Sequence, residues 1–172
     1  MNRVYLISLL LLIASLSGCI SQESIKNSQA PRQYSFIANT LDSNTSTGDE
    51  FDLRAQVQQN PMILFWVSTG CYGCHDWTDT FRSNIENGTL NASSIATIHR
   101  YSDFESEIKL DQVYGTNNNS THPSPWTVVI PNQNTTIIDF KTGEVVNHLS
   151  IYEAFDNPVT PTIQILNREG EI

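Results

Sequence analysis

The chain is short of positive charge. Of its 172 residues nine are Lys or Arg against 18 Asp or Glu, a formal net charge of −9 at pH 7, and the basic residues form no run. That argues against a nucleic-acid binder and against a protein held to anionic headgroups by a polybasic patch. Cysteine is scarce as well: there are three, at positions 19, 71 and 74. A zinc site of four cysteines is therefore excluded. Long apolar runs are few. The N-terminal one, Val4 to Ala14 and broken by Ser8, is too short and wrongly flanked for a stable membrane span. No internal repeat is visible, and a hydrophobic content of 39% is modest but enough for one core.

What is present begins with that N-terminal run. A positive start at Arg3, an apolar stretch and then small residues make residues 1–18 a secretion signal. Leu16-Ser17-Gly18-Cys19 resembles a prokaryotic lipobox. The resemblance implies cleavage before Cys19 and a lipid on its sulfur, attaching the chain to the outer face of the cell membrane or leaving it in the periplasm. Cleavage removes Arg3 and no acid, which takes the charge from −9 to −10. Residues 19–33 are polar and aperiodic and read as a flexible tether. Residues 34–172 suit one domain. With Cys19 assigned to lipid, a single cysteine pair remains. Asn-X-Ser/Thr acceptors begin at Asn44, Asn87, Asn91, Asn118, Asn119 and Asn134, in stretches that read as surface loops.

The pair is Cys71-Tyr72-Gly73-Cys74. It follows the apolar run Met62 to Val67 and the breaker Ser68-Thr69-Gly70, and it opens a helix-like stretch extending to about Glu86. Both faces of the apolar run are hydrophobic, which predicts a buried central strand. A cysteine on the first turn of a helix meets unpaired N–H groups and the positive end of the dipole, which favour its thiolate. The opposing reading is an inert disulfide, but a bridge closing so short a loop constrains the unfolded chain little. Trp77, Phe81 and Ile85 recur every four residues and predict the buried face of this helix.

Elsewhere, alternation predicts a first strand at Tyr34–Ala38, with a polar loop after it to Asp49. A short strand begins at Phe51 and gives way to a turn of helix through Val57. Ile95 to Tyr101 predicts a parallel strand, 103–114 a weak helix, and Gly115 to Ser124 a loop with His122 in solvent. Thr127–Ile130 reads as a strand. Thr135–Phe140 and Glu144–Leu149 read as a hairpin, Ser150–Phe155 as one helical turn, and Thr162–Leu166 as a last strand.

With Cys71–Cys74 after one strand and Val159-Thr160-Pro161-Thr162 before another, the chain resembles the thioredoxin superfamily, in particular its membrane-tethered TlpA/ResA-like redoxins. The resemblance implies an α/β fold, a thioredoxin-like three-layer sandwich with a central mixed sheet. The chain stops where the family's last strand and helix would follow, so a C-terminal truncation is expected. It also implies a cis bond before Pro161, a loop in which Thr160 pairs with a partner's backbone, and extracytoplasmic thiol-disulfide exchange with protein cysteines. Cys71 would be the attacking sulfur and Cys74 the resolving one, with no cofactor, in a monomer. Three departures stand out: Gly70 where relatives carry Trp, Trp77 where the reductase branch carries Glu, and Met62 where cytoplasmic thioredoxins carry a buried acid. His75, directly after Cys74, could replace such groups by lowering the thiolate pKa.

Two alternatives use the same residues. Cys71-Tyr-Gly-Cys74-His75 matches the C-x-x-C-H pattern of c-type haem attachment. Cys71 and Cys74 with His148 or His122 could bind copper as a metallochaperone does.

Overall fold

The computed structural model describes residues 33–43, 46–47, 50–116 and 119–172. The expected signal segment, Cys19, all but the last tether residue, Asn44 and Asn118 lie outside the described residues. Strands β1 (Tyr34–Thr40), β2 (Asp42–Ser43), β3 (Ser46–Thr47) and β4 (Glu50–Asp52) precede helix α1 (Leu53–Gln59) and strand β5 (Met62–Val67). Helix α2 (Tyr72–Glu86), strand β6 (Ile95–His99), helix α3 (Glu107–Tyr114), strands β7 (Thr127–Ile130) and β8 (Thr136–Asp139), helix α4 (Ile151–Ala154) and strand β9 (Thr162–Leu166) complete it.

The main sheet runs β4-β1-β7-β6-β5-β9, with β8 paired to β1. β5 is parallel to β6 and antiparallel to β9, and β6 is parallel to β7. β2 and β3 pair only with each other. They form a small ladder inside the stretch expected to be a polar loop.

Strand alternation sorts the core into two layers, because successive side chains of a strand point to opposite faces. Met62, Leu64 and Trp66 of β5 pack with Leu53 and Val57 of α1 and with Ile151 and Phe155 at α4. Phe65 and Val67 pack on the other face with Cys74 and Phe81 of α2 and with Leu110, Val113 and Tyr114 of α3. The result is a helix–sheet–helix sandwich in which β5 is an interior strand between β6 and β9. Leu64, Phe65, Trp66 and Val67 are all 0% exposed. A fully buried large apolar side chain contributes about 1.5–3 kcal/mol, so this strand anchors the domain.

Three expectations change. The buried stripe of α2 is Cys74, Thr78 and Phe81, whereas Trp77 is 43% exposed. Cys74 is turned into the core, and Thr78 and Phe81, four and seven residues on, follow it inward. The hairpin after β8 is half formed: its second arm is one isolated bridge, Ile138 to Val145. Asp139 Oδ1 accepts from the N–H groups of Lys141 and Thr142, so a side-chain-capped turn takes the place of a ladder. β6 ends at His99, because Arg100 leaves the strand direction to enter a turn.

Candidate active site

β5 delivers the chain to the site and α2 carries it away. Cys71 is the N-cap of α2, with extended backbone at φ −90 and ψ 101, and its sulfur accepts from the Cys74 N–H at 3.1 Å. Cys71 and Cys74 are joined as a disulfide across a Cα–Cα distance of 5.2 Å. Cys71 is half-buried and Cys74 fully buried. The sulfurs therefore differ in access by one turn of helix.

The two residues before the turn are pinned from several sides. Tyr114 Oη donates to the Ser68 carbonyl at 2.9 Å. The Thr69 N–H donates to Glu105 Oε2 at 2.9 Å, and His75 Nε2 donates to the Thr69 carbonyl at 3.1 Å. Ser68 Oγ lies 3.3 Å from Thr160 Oγ1, which links this turn to the loop before β9. In that loop the Thr160–Pro161 bond is cis. A Cβ added at Gly73 would lie 3.4 Å from Pro161 Cγ. Pro161 thus sits against the backbone between the two cysteines. Cys71, Cys74, His75, Thr160 and Pro161, read from sequence as one site, are brought together.

Glu105 was not among the residues singled out from sequence. Its Oε2 also accepts from His99 Nε2 at 2.8 Å. Burial pushes the His99 pKa down, against the pull of Glu105, so the ring stays neutral. Its Nδ1 is buried without a partner, which a neutral nitrogen tolerates better than a charged N–H would. Burial opposes ionisation of Glu105. The hydrogen bonds from Thr69 and His99 outweigh it, and the carboxyl lies below its ordinary range. Burial, and then the Glu105 charge, pushes the Tyr114 phenol far up, so it stays a donor.

His122 is not in open solvent. Its ring stacks on His75, with centroids 4.3 Å apart and planes 12° from parallel, and its Nδ1 bonds Asp79 Oδ2 at 3.1 Å. His148 is exposed and lies by Glu153 at the start of α4. Among the described residues no three His, Cys, Asp or Glu side chains are grouped to hold a metal ion. Asn87, Asn91, Asn119 and Asn134 are exposed.

A parallel β5–β6 pair, an antiparallel β9, a disulfide at the helix after β5 and a cis proline before β9 stand together. The fold is thioredoxin-like. No protein-family model and no curated protein matches the chain. Among solved structures it is similar to the thioredoxin domain of a thiol-disulfide oxidoreductase from Bacteroides vulgatus, at 15% identity over 80% of this chain and 79% of that one, with a TM-score of 0.48. It is similar to a thiol:disulfide interchange protein from Bacteroides sp., at 17% identity over 83% and 78% of the two chains, with a TM-score of 0.43. A conserved protein of unknown function from Bacteroides fragilis matches at 17% identity over 74% and 96%, with a TM-score of 0.38. At these values the likenesses carry no argument about chemistry, which rests on the geometry above.

Proposed function

We propose that the protein is a thiol-disulfide oxidoreductase acting on protein cysteines. The observation that carries this reading is the unequal disulfide at the start of α2, with Cys71 reachable, Cys74 buried and Pro161 beside them. In the reducing direction the Cys71 thiolate attacks a partner disulfide and expels one partner thiolate, leaving a mixed disulfide. The Cys74 thiolate then attacks Cys71 Sγ and releases the second partner thiolate. Two electrons pass to the partner, and Cys71–Cys74 closes; the oxidising direction is the reverse. α2 is 15 residues long, and its N-terminal dipole and free N–H groups favour negative charge on Cys71 Sγ. Thr160 and Pro161 are the proposed cradle for the partner's backbone.

The proposal extends to place and assembly. The signal-like residues 1–18 and the lipobox-like Leu16 to Cys19 support a chain tethered outside the cytoplasm by a lipid on Cys19; that it acts there as a monomer is part of the proposal. This makes the TlpA/ResA-like redoxins the nearest functional class. The haem alternative has less support because His75 is engaged by Thr69 and His122. The copper alternative has less because His122 is engaged by Asp79 and, among the described residues, neither His122 nor His148 is grouped with the cysteines to hold a metal ion.

The test is selective alkylation. After reduction, Cys71 is expected to react with iodoacetamide well ahead of Cys74, and Cys74→Ser is expected to trap mixed disulfides with partner proteins. Equal rates at the two positions, or no trapped adduct, would overturn the assigned roles.

A further inference from the structure

The turn after β6 touches both walls of the disulfide. Arg100, the first residue past the strand, donates its backbone N–H to the Val67 carbonyl at 2.8 Å. Its Nε donates to the Pro158 carbonyl, also at 2.8 Å. The guanidinium carbon lies 3.8 Å from the ring centroid of Tyr152 and 5.2 Å from that of Tyr101. Val67 ends the strand that leads to Cys71, and Pro158 opens the loop that carries Thr160 and Pro161. A single residue therefore ties the strand behind the disulfide to the loop in front of it.

That loop needs an external tie. It is entered through Asp156 and Asn157, whose φ angles are 65 and 49. This left-handed region is one that Asp, Asn and Gly enter most readily. No regular element spans from the end of α4 to the start of β9. Pro158 is buried, so its carbonyl is costly to leave unpaired. The planar guanidinium can lie on an aromatic ring and donate in its own plane at the same time, which a lysine ammonium cannot reproduce.

We infer that Arg100 is a positioning residue that holds the Thr160–Pro161 loop at its working distance from Cys71 and so sets the affinity for extended peptide partners. The inference rests on the thiol-disulfide reading above. A peptide that pairs its backbone with Thr160 needs the loop in register. A small thiol needs only access to sulfur. The two substrate sizes therefore respond differently when the tie is cut.

The experiment compares wild type with Arg100→Met and Arg100→Lys on two probes, a synthetic peptide with one internal disulfide and dithiothreitol. Arg100→Met is expected to raise KM for the peptide about tenfold with kcat within about twofold, the equivalent of about 1.4 kcal/mol of lost binding. Exchange with dithiothreitol and the reduction potential of the pair are expected to stay at wild-type values. Arg100→Lys, which keeps charge over Tyr152 and lacks the Nε–H, is expected to fall between. Tyr152→Leu removes the ring and leaves Arg100. It is expected to raise KM in the same direction, and it serves as the test should Arg100→Met fail to fold. Wild-type protein inert toward both probes would overturn the thiol-disulfide reading itself. Active wild type with an unchanged peptide KM in the variants, or with dithiothreitol exchange falling in step, would overturn the positioning role alone.

Discussion

Removal of the Glu105 carboxylate tests how the site is held together. In Glu105→Ala two donors lose their acceptor: the N–H of Thr69, in a residue 8% exposed, and Nε2 of His99, which is 0% exposed. An unsatisfied buried donor costs about 1–3 kcal/mol. The Glu105 side chain is itself 25% exposed, so water can reach part of the gap and the lower half of the range applies. A loss of about 2–4 kcal/mol is expected, or about 8–16 °C in Tm at about 4 °C per kcal/mol for a domain of this size. Glu105→Gln keeps an acceptor oxygen but not the charge, and about half that loss is expected. The pH dependence has a definite sign. The His99 pKa is lowered from 6.5, so the unfolded chain binds its proton first and stability falls as pH drops below 6.5. The Glu105 pKa is lowered from 4.5, so its contribution is present above 4.5 and is lost as pH falls through the folded value. Both groups make the domain weaker in acid, and Glu105→Gln is expected to flatten the part below 4.5. Thermal unfolding followed by circular dichroism on the oxidised protein, from pH 7.5 to 3.5, measures all of this. A Glu105→Ala melt within about 2 °C of wild type at pH 7.5, or the same acid slope in Glu105→Gln, would refute the reasoning.

Other substitutions separate packing from chemistry. Phe81→Ala is expected to cost about 3–5 kcal/mol in denaturant unfolding, since Phe81 is 8% exposed and meets Phe65 edge-on at 5.4 Å, whereas Trp77→Ala should cost less than about 1 kcal/mol. A larger loss at Trp77 would restore the stripe expected from periodicity. Gly170 has φ +79, and an added Cβ would lie 2.6 Å from the Phe140 ring, so Gly170→Ala is expected to cost about 2–4 kcal/mol in the same assay. Gly73→Val adds two methyl groups to a Cβ that would already touch Pro161 Cγ at 3.4 Å, and crowds the face on which a partner is proposed to lie. Peptide-disulfide turnover is expected to fall about tenfold, or 1.4 kcal/mol, with the melting temperature nearly unchanged, and full turnover would show that Pro161 does not face the partner.

Much of the frame was legible from local signals. The apolar run Met62 to Val67 announces a buried strand by its length and its two hydrophobic faces, and it forms one inside the sheet, between β6 and the edge strand β9. The cysteine spacing and the breaker before it placed a helix start at Cys71, which is the cap observed. The cis bond before Pro161 is not a local signal: the resemblance to the thioredoxin superfamily implies it, and the bond is cis. Periodicity fared less well on α2. It reports that one face is apolar, but Trp77, Phe81 and Ile85 also satisfy that rule. Burial of Cys74 against Phe65 and Val67 selected the other stripe.

What the chain's own sequence determined was therefore the elements and the reactive pair, because strand alternation, breakers and helix caps act over a few residues. Tertiary structure alone decided what surrounds that pair. Glu105 meets Thr69 across 36 residues, Arg100 meets Pro158 across 58, and His122 reaches α2 across 43. Each is a polar side chain in a turn or loop, outside any periodic pattern. Which backbone group it satisfies depends on how β5, β6 and the loop before β9 come together, and that is settled only when the apolar faces of the sheet are buried.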